Sequence, residues 1–387
     1  MEHFRFVDLF AGIGGFQQAM RQLGGDCVFA SEIDPFCLET YQENYHMDAS
    51  RDIRTVREED IPPHDVLCAG FPCQAFSKAG RQQGMSDTRG TLFFEVERIL
   101  RYHRTQYIIL ENVRNLVAHD HGNTWRTIQA SLHHIGYRLT PAPLILSPHQ
   151  LGIPQLRERV VILGFYDPAH ADQDLDIRFD HLLGKDQNSI SSILSEDDRV
   201  EAGYQLSSQE TMVLNAWDEF YHGIREKVIG FPIWSPYFQV KEPDPEFPPW
   251  KQEFVRKNMA LYENNEAFIS AWLKEYHNLR DFTPTQQKME WQAGTTIQSA
   301  WEGVIQFRPS GVRIKRPTTF PALVAIGQIP VIGPRRRRLT VREAARLQSF
   351  PENFIPNRNI AQAYKQFGNA VNVEVIKLAA QKLFAIQ

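Results

Sequence analysis

Hydrophobic and polar positions alternate along the first third of the chain in a way that separates strands from helices. Apolar runs predict short buried strands at residues 5–10, 26–31, 65–70 and 107–110, because turn or polar residues bound each run. Helical spacing follows the first run, at residues 17–23. A strand, a glycine turn and a helix in this order are typical of the opening of a nucleotide-type crevice.

The glycine turn is followed by acids at spacings that suit a nucleotide. Gly12 and Gly15 let a ligand approach the backbone, although a bare strand–helix turn of this kind is common. Glu32 ends the second strand about twenty residues later, the offset expected for an acid that binds ribose hydroxyls. Asp52 is placed to reach a purine amino group, but its spacing fits a surface acid equally well.

A cysteine follows the third apolar run, in the stretch GFPCQAFSKAG at residues 70–80. Cys73 comes directly after Pro72, at the end of a strand that would face the ligand crevice. A thiol attacks as its thiolate, so a nucleophilic cysteine needs an exposed, polar or electropositive position. Most free cysteines are instead small buried hydrophobes, and this stretch alone favours that interpretation.

The loop that follows Cys73, residues 74–90, has the composition of a closing lid. Its glycines and basic residues are Gly80, Gly84, Gly90, Lys78, Arg81 and Arg89. Glycine hinges and positive charge suit closure over phosphates, and a plain surface loop is the alternative.

The composition is ordinary for a soluble globular protein and leaves room for two domains. The chain has 387 residues, of which 42% are hydrophobic and 23% charged. No apolar run approaches membrane-spanning length, and the first ten residues predict a strand rather than a signal peptide. Cysteines occur only at Cys27, Cys37, Cys68 and Cys73, without zinc or disulfide spacing, and the histidines are scattered, so we expect a reducing cytoplasmic compartment and no metal site.

The net charge of −4 argues against a nucleic-acid partner, but the charge is unevenly distributed. Between residues 305 and 346 the only acid is Glu343, and this stretch holds ten basic residues: Arg308, Arg313, Lys315, Arg316, Arg335, Arg336, Arg337, Arg338, Arg342 and Arg346. Apolar residues interleave them, which favours a folded, basic, β-like surface over a solvated run. We expect major-groove contacts from Arg308, Arg313, Lys315 and Arg316.

The middle of the chain is predominantly helical before this basic stretch. Residues 190–194 predict a short helix, and Ser207 with Glu210 forms a capping box before a longer one. Two further helical stretches follow, around Phe254 and over residues 268–279. We interpret their aromatic residues as core rather than as platforms for stacked bases.

Taken together, the motifs resemble the bacterial type of the DNA cytosine-5-methyltransferase family. The resemblance begins with DLFAGIGG, EID, RDI and GFPCQ and continues in the same order to the C-terminus. The later matching stretches are Gly90–Glu95, Glu111–Val113 (ENV), Gln155–Arg159 (QLRER), Arg338–Gln348 (RLTVREAARLQ) and Tyr364–Val371. They span nearly the whole chain outside 167–337.

The resemblance implies an α/β fold with a doubly wound, mostly parallel sheet, Rossmann-like and dependent on S-adenosylmethionine, and a second, smaller target-recognition domain. Residues 1–175 and 341–387 would form the catalytic domain, and 176–340 the target-recognition domain. The implied reaction moves a methyl group to the 5-position of a flipped-out cytosine in a specific double-stranded DNA sequence, leaving S-adenosylhomocysteine. We expect a monomer near the nucleoid, either solitary or a companion of a restriction endonuclease that it does not contact.

The same resemblance assigns roles to individual residues. Cys73 would be the nucleophile and Glu111 the partner of ring nitrogen 3. Arg157 and Arg159, on one face of a strand, would hold the carbonyl oxygen of the base, unless one of them braces Glu111 or the loop. The implied cofactor residues are Phe10, Gly12, Ile13, Gly15, Glu32, Ile33, Asp52, Ile53, Pro72, Leu92, Asn369 and Val371. The loop residues expected to bind DNA are Ser77, Lys78, Arg81 and Gln82.

Three other functions share some of these features. A transfer-RNA cytosine methyltransferase would have the same fold, but the Cys-Phe-Thr motif of its eukaryotic members is absent, and no cysteine follows Cys73. A catalytically dead binding module is disfavoured because the motif residues are intact: Cys73, Glu111, Arg157, Arg159 and Asn369. A dinucleotide oxidoreductase would explain the glycine turn but not Pro72-Cys73-Gln74 or the paired arginines.

Overall fold

The structure is a computed structural model that describes residues 3–72, 92–184, 187–196, 200, 203–227, 229–323 and 328–386. The chain divides into two compact units. The first comprises Met1–Asn188, Ala322–Ala325 and Ala344–Gln387, and the second comprises Ser189–Pro321 and Ile326–Glu343. The predicted domain assignment concerns function and stays a prediction.

Strands and helices alternate through the first part of the first unit. The strands are β1 (Phe4–Leu9), β2 (Gly25–Ser31), β3 (Val66–Ala69), β4 (Tyr107–Val113), β5 (Tyr137–Leu139), β6 (Leu144–Leu146), β7 (Gln155–Leu156) and β8 (Arg159–Tyr166). The helices are α1 (Gly15–Gln22), α2 (Pro35–Tyr45), α3 (Leu92–His103), α4 (Asn115–Ala118) and α5 (Asn123–His134).

One sheet joins most of these strands in the order β2–β1–β3–β4–β8–β5, with β6 also paired to β8. β1 is parallel to β2 and β3, and β3 is parallel to β4. β8 is antiparallel to β4, β5 and β6. The predicted α/β fold is confirmed, and the antiparallel edge around β8 is an addition that the apolar pattern did not predict. The carboxyl ends of β1 to β4 share one edge of the sheet.

β4 is longer than the sequence pattern predicts. The prediction ends this strand at Leu110, whereas the ladder with β8 continues through Glu111, Asn112 and Val113. The pairing of β3 with β4 ends at Ala69 and Leu110, so the last three residues of β4 project beyond the end of β3. The polar residues of the ENV motif therefore lie on a strand, where a ladder fixes their direction.

Apolar residues on the strands and on α3 and α5 form a continuous core. The strands contribute Val7, Leu67, Ile108 and Leu110, and the helices contribute Val96, Ile99, Ile128 and Leu132, all of them buried. The helical residues recur at intervals of three or four, which places them on one face of each helix. This core fixes the edge of the sheet at which the polar motif residues emerge.

The second unit combines helices with a six-stranded sheet. Its helices are α6 (Ser208–Gly223), α7 (Pro249–Asn264) and α8 (Glu266–Glu275). Its strands are β9 (Ile233–Trp234), β10 (Lys288–Gln292), β11 (Val304–Arg308), β12 (Gly311–Lys315), β13 (Phe320–Pro321), β14 (Val331–Ile332) and β15 (Arg337–Arg338). The sheet contains all of these strands except β13, in the order β15–β14–β11–β12–β10–β9.

Several predictions for the second unit are confirmed. A short 3-10 helix spans Ile190–Ile193. The capping box at the start of α6 is formed in both directions, because Ser207 Oγ accepts from the Glu210 amide at 3.1 Å and Glu210 Oε2 accepts from the Ser207 amide at 3.0 Å. The aromatic side chains of Trp217, Phe220 and Trp272 are buried in one core cluster, as interpreted from the sequence.

The last three helices are α9 (Val341–Leu347), α10 (Ile360–Asn369) and α11 (Val373–Phe384). α11 ends with Phe384, whose ring centroid lies 5.2 Å from that of Phe4 and 5.1 Å from that of Tyr107. The final helix therefore packs against β1 and β4. Within the described ranges, none of the helices has the length and apolar character needed to cross a membrane.

Candidate active site

A cavity of about 840 Å³ lies at the edge of the first unit's sheet where β1 to β4 end. Its size is in the range expected of a pocket for a ligand of cofactor size. It is lined by Phe10, Ala11, Gly12, Gly15, Phe16, Ser31, Glu32, Ile33, Asp34, Cys37, Arg51, Asp52, Ile53, Arg54, Gly70, Phe71, Pro72, Leu92, Glu111, Asn112, Val113, Arg157, Arg159, Gln366, Gly368, Asn369, Ala370 and Val371. These residues come from both ends of the chain, so the fold is needed to assemble the cavity.

Nearly all of the cofactor residues that the sequence predicts line this cavity. They are Phe10, Gly12, Gly15, Glu32, Ile33, Asp52, Ile53, Pro72, Leu92, Asn369 and Val371. Ile13 is not among the lining residues, because its side chain is buried in the core. Ile33 is 66% exposed, an unusual state for a large apolar side chain and one that suits a flat apolar ligand surface.

Gly12 and Gly15 are needed in the glycine turn for different physical reasons. Gly12 has φ +55°, and among the described residues no heavy atom lies within 4 Å of the position that a Cβ would take. Gly15 instead packs against Val371, because a Cβ there would lie 2.6 Å from Val371 Cγ2 and 2.9 Å from the Val371 carbonyl oxygen. Gly12 thus keeps the cavity open, and Gly15 lets the two ends of the chain meet.

Glu32 ties the glycine turn to the end of β2. Its Oε2 accepts from the Gly12 amide at 2.8 Å. Its Oε1 accepts from the amides of Ile33 and Asp34 at 2.7 and 2.8 Å. Three backbone bonds fix the carboxylate in one orientation, and because Glu32 lines the cavity, its remaining acceptor site can serve a ligand hydroxyl.

Asp52 forms a tight pair with Arg54, a residue that the sequence analysis did not select. Asp52 Oδ1 accepts from Arg54 Nε at 2.9 Å, and Asp52 Oδ2 accepts from Arg54 Nη2 at 2.6 Å. The hydrogen bond from Arg54 lowers the pKa of Asp52, so the carboxylate is charged at neutral pH. Both residues line the cavity, and the close spacing along the chain was the only sequence signal for Arg54.

Glu111 and Arg159 meet inside the same cavity. Arg159 Nε lies 3.1 Å from Glu111 Oε1, with both side chains largely buried. Burial raises the pKa of Glu111, while the charges of Arg159 and Arg157 oppose this rise. Glu111 is therefore an acid that holds its proton more readily than an exposed glutamate, beside a cation that can orient it.

Arg157 occupies a different environment from Arg159. It lies between β7 and β8 rather than on a strand with Arg159, so the expected two-residue alternation on one strand is not observed. Its Nη1 donates to the Leu323 carbonyl at 3.2 Å and its Nη2 to the Ala370 carbonyl at 2.9 Å. Burial and the neighbouring Arg159 lower the pKa of Arg157 to about 9. The guanidinium thus clamps two backbone segments, one of which lines the cavity.

The backbone two residues before Cys73 is held by the ENV motif. Asn112 Nδ2 donates to the Phe71 carbonyl at 2.8 Å, and Asn112 Oδ1 accepts from the Val113 amide at the same distance. This bond fixes the backbone two residues before Cys73. Cys73 itself, together with Ser77, Lys78, Arg81, Gln82 and the predicted lid, lies outside the described residues.

The basic residues predicted to bind DNA belong to the second unit. Arg308 ends β11, Arg313 and Lys315 lie on β12, and Arg316 follows directly. Arg313 Nη2 lies 2.6 Å from Glu290 Oε2, so one of these predicted contacts is already paired within the protein. Five short strands, β11 to β15, and most of α9 fall within or overlap the basic stretch, which excludes the alternative of a purely solvated run.

Asp8 is a buried acid that the sequence analysis passed over. Its carboxylate is fully buried, and within the part of the chain that the structure describes neither oxygen makes a hydrogen bond of ordinary geometry, although the backbone amide of Gln17 is close enough to oppose the rise in its pKa. Burial raises the pKa of Asp8 well above its ordinary value, and the charge of Glu32 acts in the same direction. An acid inside a strand pattern gives a sequence signal for this position, since a charged residue is rarely buried without a reason.

His, Cys, Asp and Glu are the side chains that bind most metal ions, and many of them lie in the described ranges. No group of three or more His, Cys, Asp or Glu side chains in those ranges is arranged to hold a metal ion.

The family model and the similar proteins identify the same family. The family model of C-5 cytosine-specific DNA methylases matches residues 4–385. The type II methyltransferase M.AluI of Cellulosimicrobium cellulans is 36% identical, with 97% of this chain and 90% of the relative covered. The type II methyltransferase M.HpaII of Haemophilus parainfluenzae is 34% identical, with coverages of 99% and 89%.

Solved structures support the same fold. The S. pombe Dnmt2 methyltransferase superimposes with a TM-score of 0.55 at 21% identity, covering 99% of each chain. The Entamoeba histolytica methyltransferase EhMeth gives a TM-score of 0.54 at 16% identity, covering 99% of this chain and 98% of its own. Since the family model covers almost the entire sequence, the chain belongs to the C-5 cytosine-specific DNA methylase family and is a DNA (cytosine-5-)-methyltransferase, as the ordered motifs predict.

Proposed function

We propose that the protein transfers a methyl group from S-adenosylmethionine to the 5-position of a flipped-out cytosine in a specific double-stranded DNA sequence, through a covalent adduct with Cys73. One observation carries the proposal. A single cavity is lined by the residues predicted to bind the cofactor and by Glu111, Arg157 and Arg159, and it reaches Pro72, directly before Cys73.

The cavity fits S-adenosylmethionine in its residue chemistry. Gly12 leaves open space where a side chain would otherwise stand, which lets a ligand contact the backbone of the turn. Glu32 suits the ribose hydroxyls, Asp52 suits a purine amino group, and the exposed Ile33 suits the face of the purine. When bound, the cofactor supplies an electrophilic methyl group on a sulfonium centre.

Glu111 and Cys73 would act together on the cytosine ring. The Cys73 thiolate adds to carbon 6, and the electron pair of the 5,6 double bond moves toward ring nitrogen 3. Nitrogen 3 takes the proton of Glu111, whose burial keeps that proton available. Carbon 5 becomes nucleophilic and receives the methyl group as nitrogen 3 returns its proton to Glu111. A base then removes the proton from carbon 5, and Cys73 leaves as the thiolate.

The two arginines would have different tasks. Arg159 would hold the carbonyl oxygen of the base and orient Glu111, which it already contacts. Arg157 would support this arrangement through the carbonyls of Leu323 and Ala370. A stacked base cannot reach such a cavity, so the target cytosine must leave the duplex.

The two units would have different roles. The first unit would be the catalytic, S-adenosylmethionine-binding domain, and the second the target-recognition domain, with Arg308, Arg313, Lys315 and Arg316 reading the major groove. Ser77, Lys78, Arg81 and Gln82 would contact DNA from the loop. The likeness to enzymes named type II methyltransferases supports a modification role beside a restriction endonuclease. We propose a cytoplasmic monomer that acts on the same sequence as that endonuclease without contacting it.

The test is methylation of unmethylated genomic DNA with labelled S-adenosylmethionine by the wild type and by Cys73→Ala. We expect label in 5-methylcytosine from the wild type and none from the variant. A stable complex with DNA containing 5-fluorocytosine would report the adduct, because the fluorine cannot be removed as a proton. Label in transfer RNA but not in DNA would contradict the proposal, as would equal labelling by Cys73→Ala.

A further inference from the structure

Three neighbouring strands of the second unit carry polar residues on one face. On β12, Val312 and Ile314 are buried in the core, which places Arg313 on the opposite face. On β10, Met289 and Trp291 are buried in the same core, which places Glu290 on that opposite face too. β10 and β12 are parallel neighbours, and Glu290 is the registered partner of Arg313.

Several donor groups surround one carboxylate oxygen of Glu290. Its Oε2 accepts from Arg313 Nε at 2.8 Å, and Arg313 Nη2 lies 2.6 Å from the same oxygen. Gln292 Nε2 donates to this oxygen at 3.2 Å, and Arg308 Nη1 lies 3.8 Å from it. A single carboxylate therefore lies between two cations from the adjacent strands β11 and β12.

This arrangement is partly shielded from water. The side chain of Glu290 is 18% exposed, and those of Arg313 and Arg308 are 23% and 27% exposed. Nη1 of Arg308 is buried and makes no hydrogen bond within the described part of the chain. Without the carboxylate, two guanidinium groups would share this face with no anion between them, and each would swing away or recruit another anion.

Arg313 is held through Nε and one terminal nitrogen, which leaves other N–H groups of its planar fork available. A guanidinium fork matches the two acceptors that guanine presents in the major groove, and this is the commonest specific contact between a protein and a base. The match depends on orientation, and a side chain fixed by a second residue keeps its orientation without loss of conformational entropy on binding.

We infer that Glu290 is a positioning residue for target recognition: it holds Arg313 ready to read one guanine of the target sequence and keeps Arg308 from competing as a nonspecific phosphate contact. This inference rests on the proposed function, because it requires the second unit to read DNA. Glu290 acts through the two arginines and contacts no reacting atom.

The experiment compares the wild type with Glu290→Gln, which keeps the size of the side chain and removes its charge. Each protein methylates genomic DNA in vitro, and bisulfite sequencing then gives the methylated motif and its tolerance at every position. We expect Glu290→Gln to lose about tenfold in discrimination at one guanine position while the rest of the motif is kept. We also expect a DNA affinity that falls more steeply with salt, by about 0.9 in the log–log slope, because the released Arg308 gains a phosphate.

Three further variants distinguish a loss of positioning from a general effect on the protein. Arg313→Lys keeps a cation beside Glu290 but lacks the fork, so it should relax the same guanine position. Glu263→Gln removes one negative charge from an exposed position on α7 and should leave the motif unchanged. If Glu290→Gln fails to fold, as judged by its thermal unfolding, Arg313→Lys and Glu290→Asp still test the same position.

The results that would overturn this inference differ from the result that would refute the proposed function. An inactive wild type would refute the proposed function itself. An active wild type with an unchanged motif in both Glu290→Gln and Arg313→Lys would overturn the inference alone. Relaxation at a cytosine position instead of a guanine would also overturn it, since Glu290 would then be reading the amino group of cytosine directly.

Discussion

Glu111 and Arg159 form a diagonal pair across two antiparallel strands. Arg159 is the registered partner of Val113 on β4, and Glu111 lies two residues before Val113 on the same face of that strand. This geometry brings Arg159 Nε to 3.1 Å from Glu111 Oε1. The balance between burial, which raises the pKa of Glu111, and the arginine, which lowers it, sets the proton affinity of the proposed acid.

Activity should therefore depend on pH in a direction that Arg159 controls. If protonated Glu111 donates to the base, kcat should fall as pH rises through the raised pKa of Glu111. Removing the cation in Arg159→Gln should raise this pKa further and move the falling limb to higher pH, at a lower maximal kcat. Single-turnover methylation across the pH range measures both effects.

The matched control is Arg178→Gln, which removes an arginine from an exposed position in the same unit. Its pH profile should coincide with that of the wild type. Glu111→Gln should lose about 10²–10⁴-fold in kcat and its dependence on this ionisation. A falling limb that stays in place in Arg159→Gln would show that another group is responsible for it.

Arg157→Ala should lower the free energy of unfolding more than Arg159→Lys does. Replacing Arg157 by Ala leaves the carbonyls of Leu323 and Ala370 without their charged donor, and we expect a loss of about 2–4 kcal/mol in the free energy of unfolding. Arg159→Lys keeps a cation beside Glu111 and should cost less than about 1 kcal/mol. Urea unfolding followed by tryptophan fluorescence gives both values. An Arg157→Ala protein that is inactive but as stable as the wild type would assign Arg157 to the chemistry instead.

Gly15 should be intolerant of even one added methyl group. In Gly15→Ala the new Cβ would meet the side chain and the carbonyl of Val371, and at least one of them would have to shift. We expect about 1–3 kcal/mol of destabilisation and a higher Kd for S-adenosylmethionine, measured by calorimetry. The double variant Gly15→Ala/Val371→Ala removes the side-chain part of the clash and should recover part of the stability. No recovery would mean that the contact with the carbonyl dominates.

Asp8 should make the protein less stable as pH rises. Because burial raises its pKa in the folded state, the folded protein binds more protons than the unfolded chain between the ordinary pKa and the raised one. Stability therefore falls with increasing pH in that window, by up to about 1.4 kcal/mol per pH unit. Asp8→Asn removes this dependence. In urea titrations, the free energy of unfolding of the variant relative to that of the wild type should therefore increase as the pH rises above 4. A constant difference between the two proteins across this range would contradict the argument.

The sequence predicts the parallel strands and most of the cavity lining because both depend on short-range patterns. Strand ends in a parallel sheet share one edge, so a glycine turn, an acid after β2 and the ENV motif can be placed together before the structure is known. Ile13 is the one predicted cofactor residue that does not line the cavity, and its role stays a prediction. It lies inside the glycine motif but faces the core, since neighbouring residues in a tight turn point in different directions.

The remaining features depend on contacts between residues that are far apart in the chain. Arg157 finds its partners at Leu323 and Ala370, which are 166 and 213 residues away. The contact of Glu290 with Arg313 requires the parallel register of β10 and β12. A short motif cannot specify such a register, because the register depends on how two strands that are separated along the chain pair in the fold.

The meeting of the two chain ends has a consequence for biosynthesis. One part of the cavity wall includes residues 10–12, 15 and 16, and a second part includes residues 366 and 368–371, while Phe384 packs on Phe4. At typical translation rates of about 5–20 residues per second, roughly 20–70 s separate the appearance of these two parts. A nascent chain on the ribosome can therefore fold its early strands but lacks a complete cavity, and methylation competence arrives only after residues 366–371 have been synthesised.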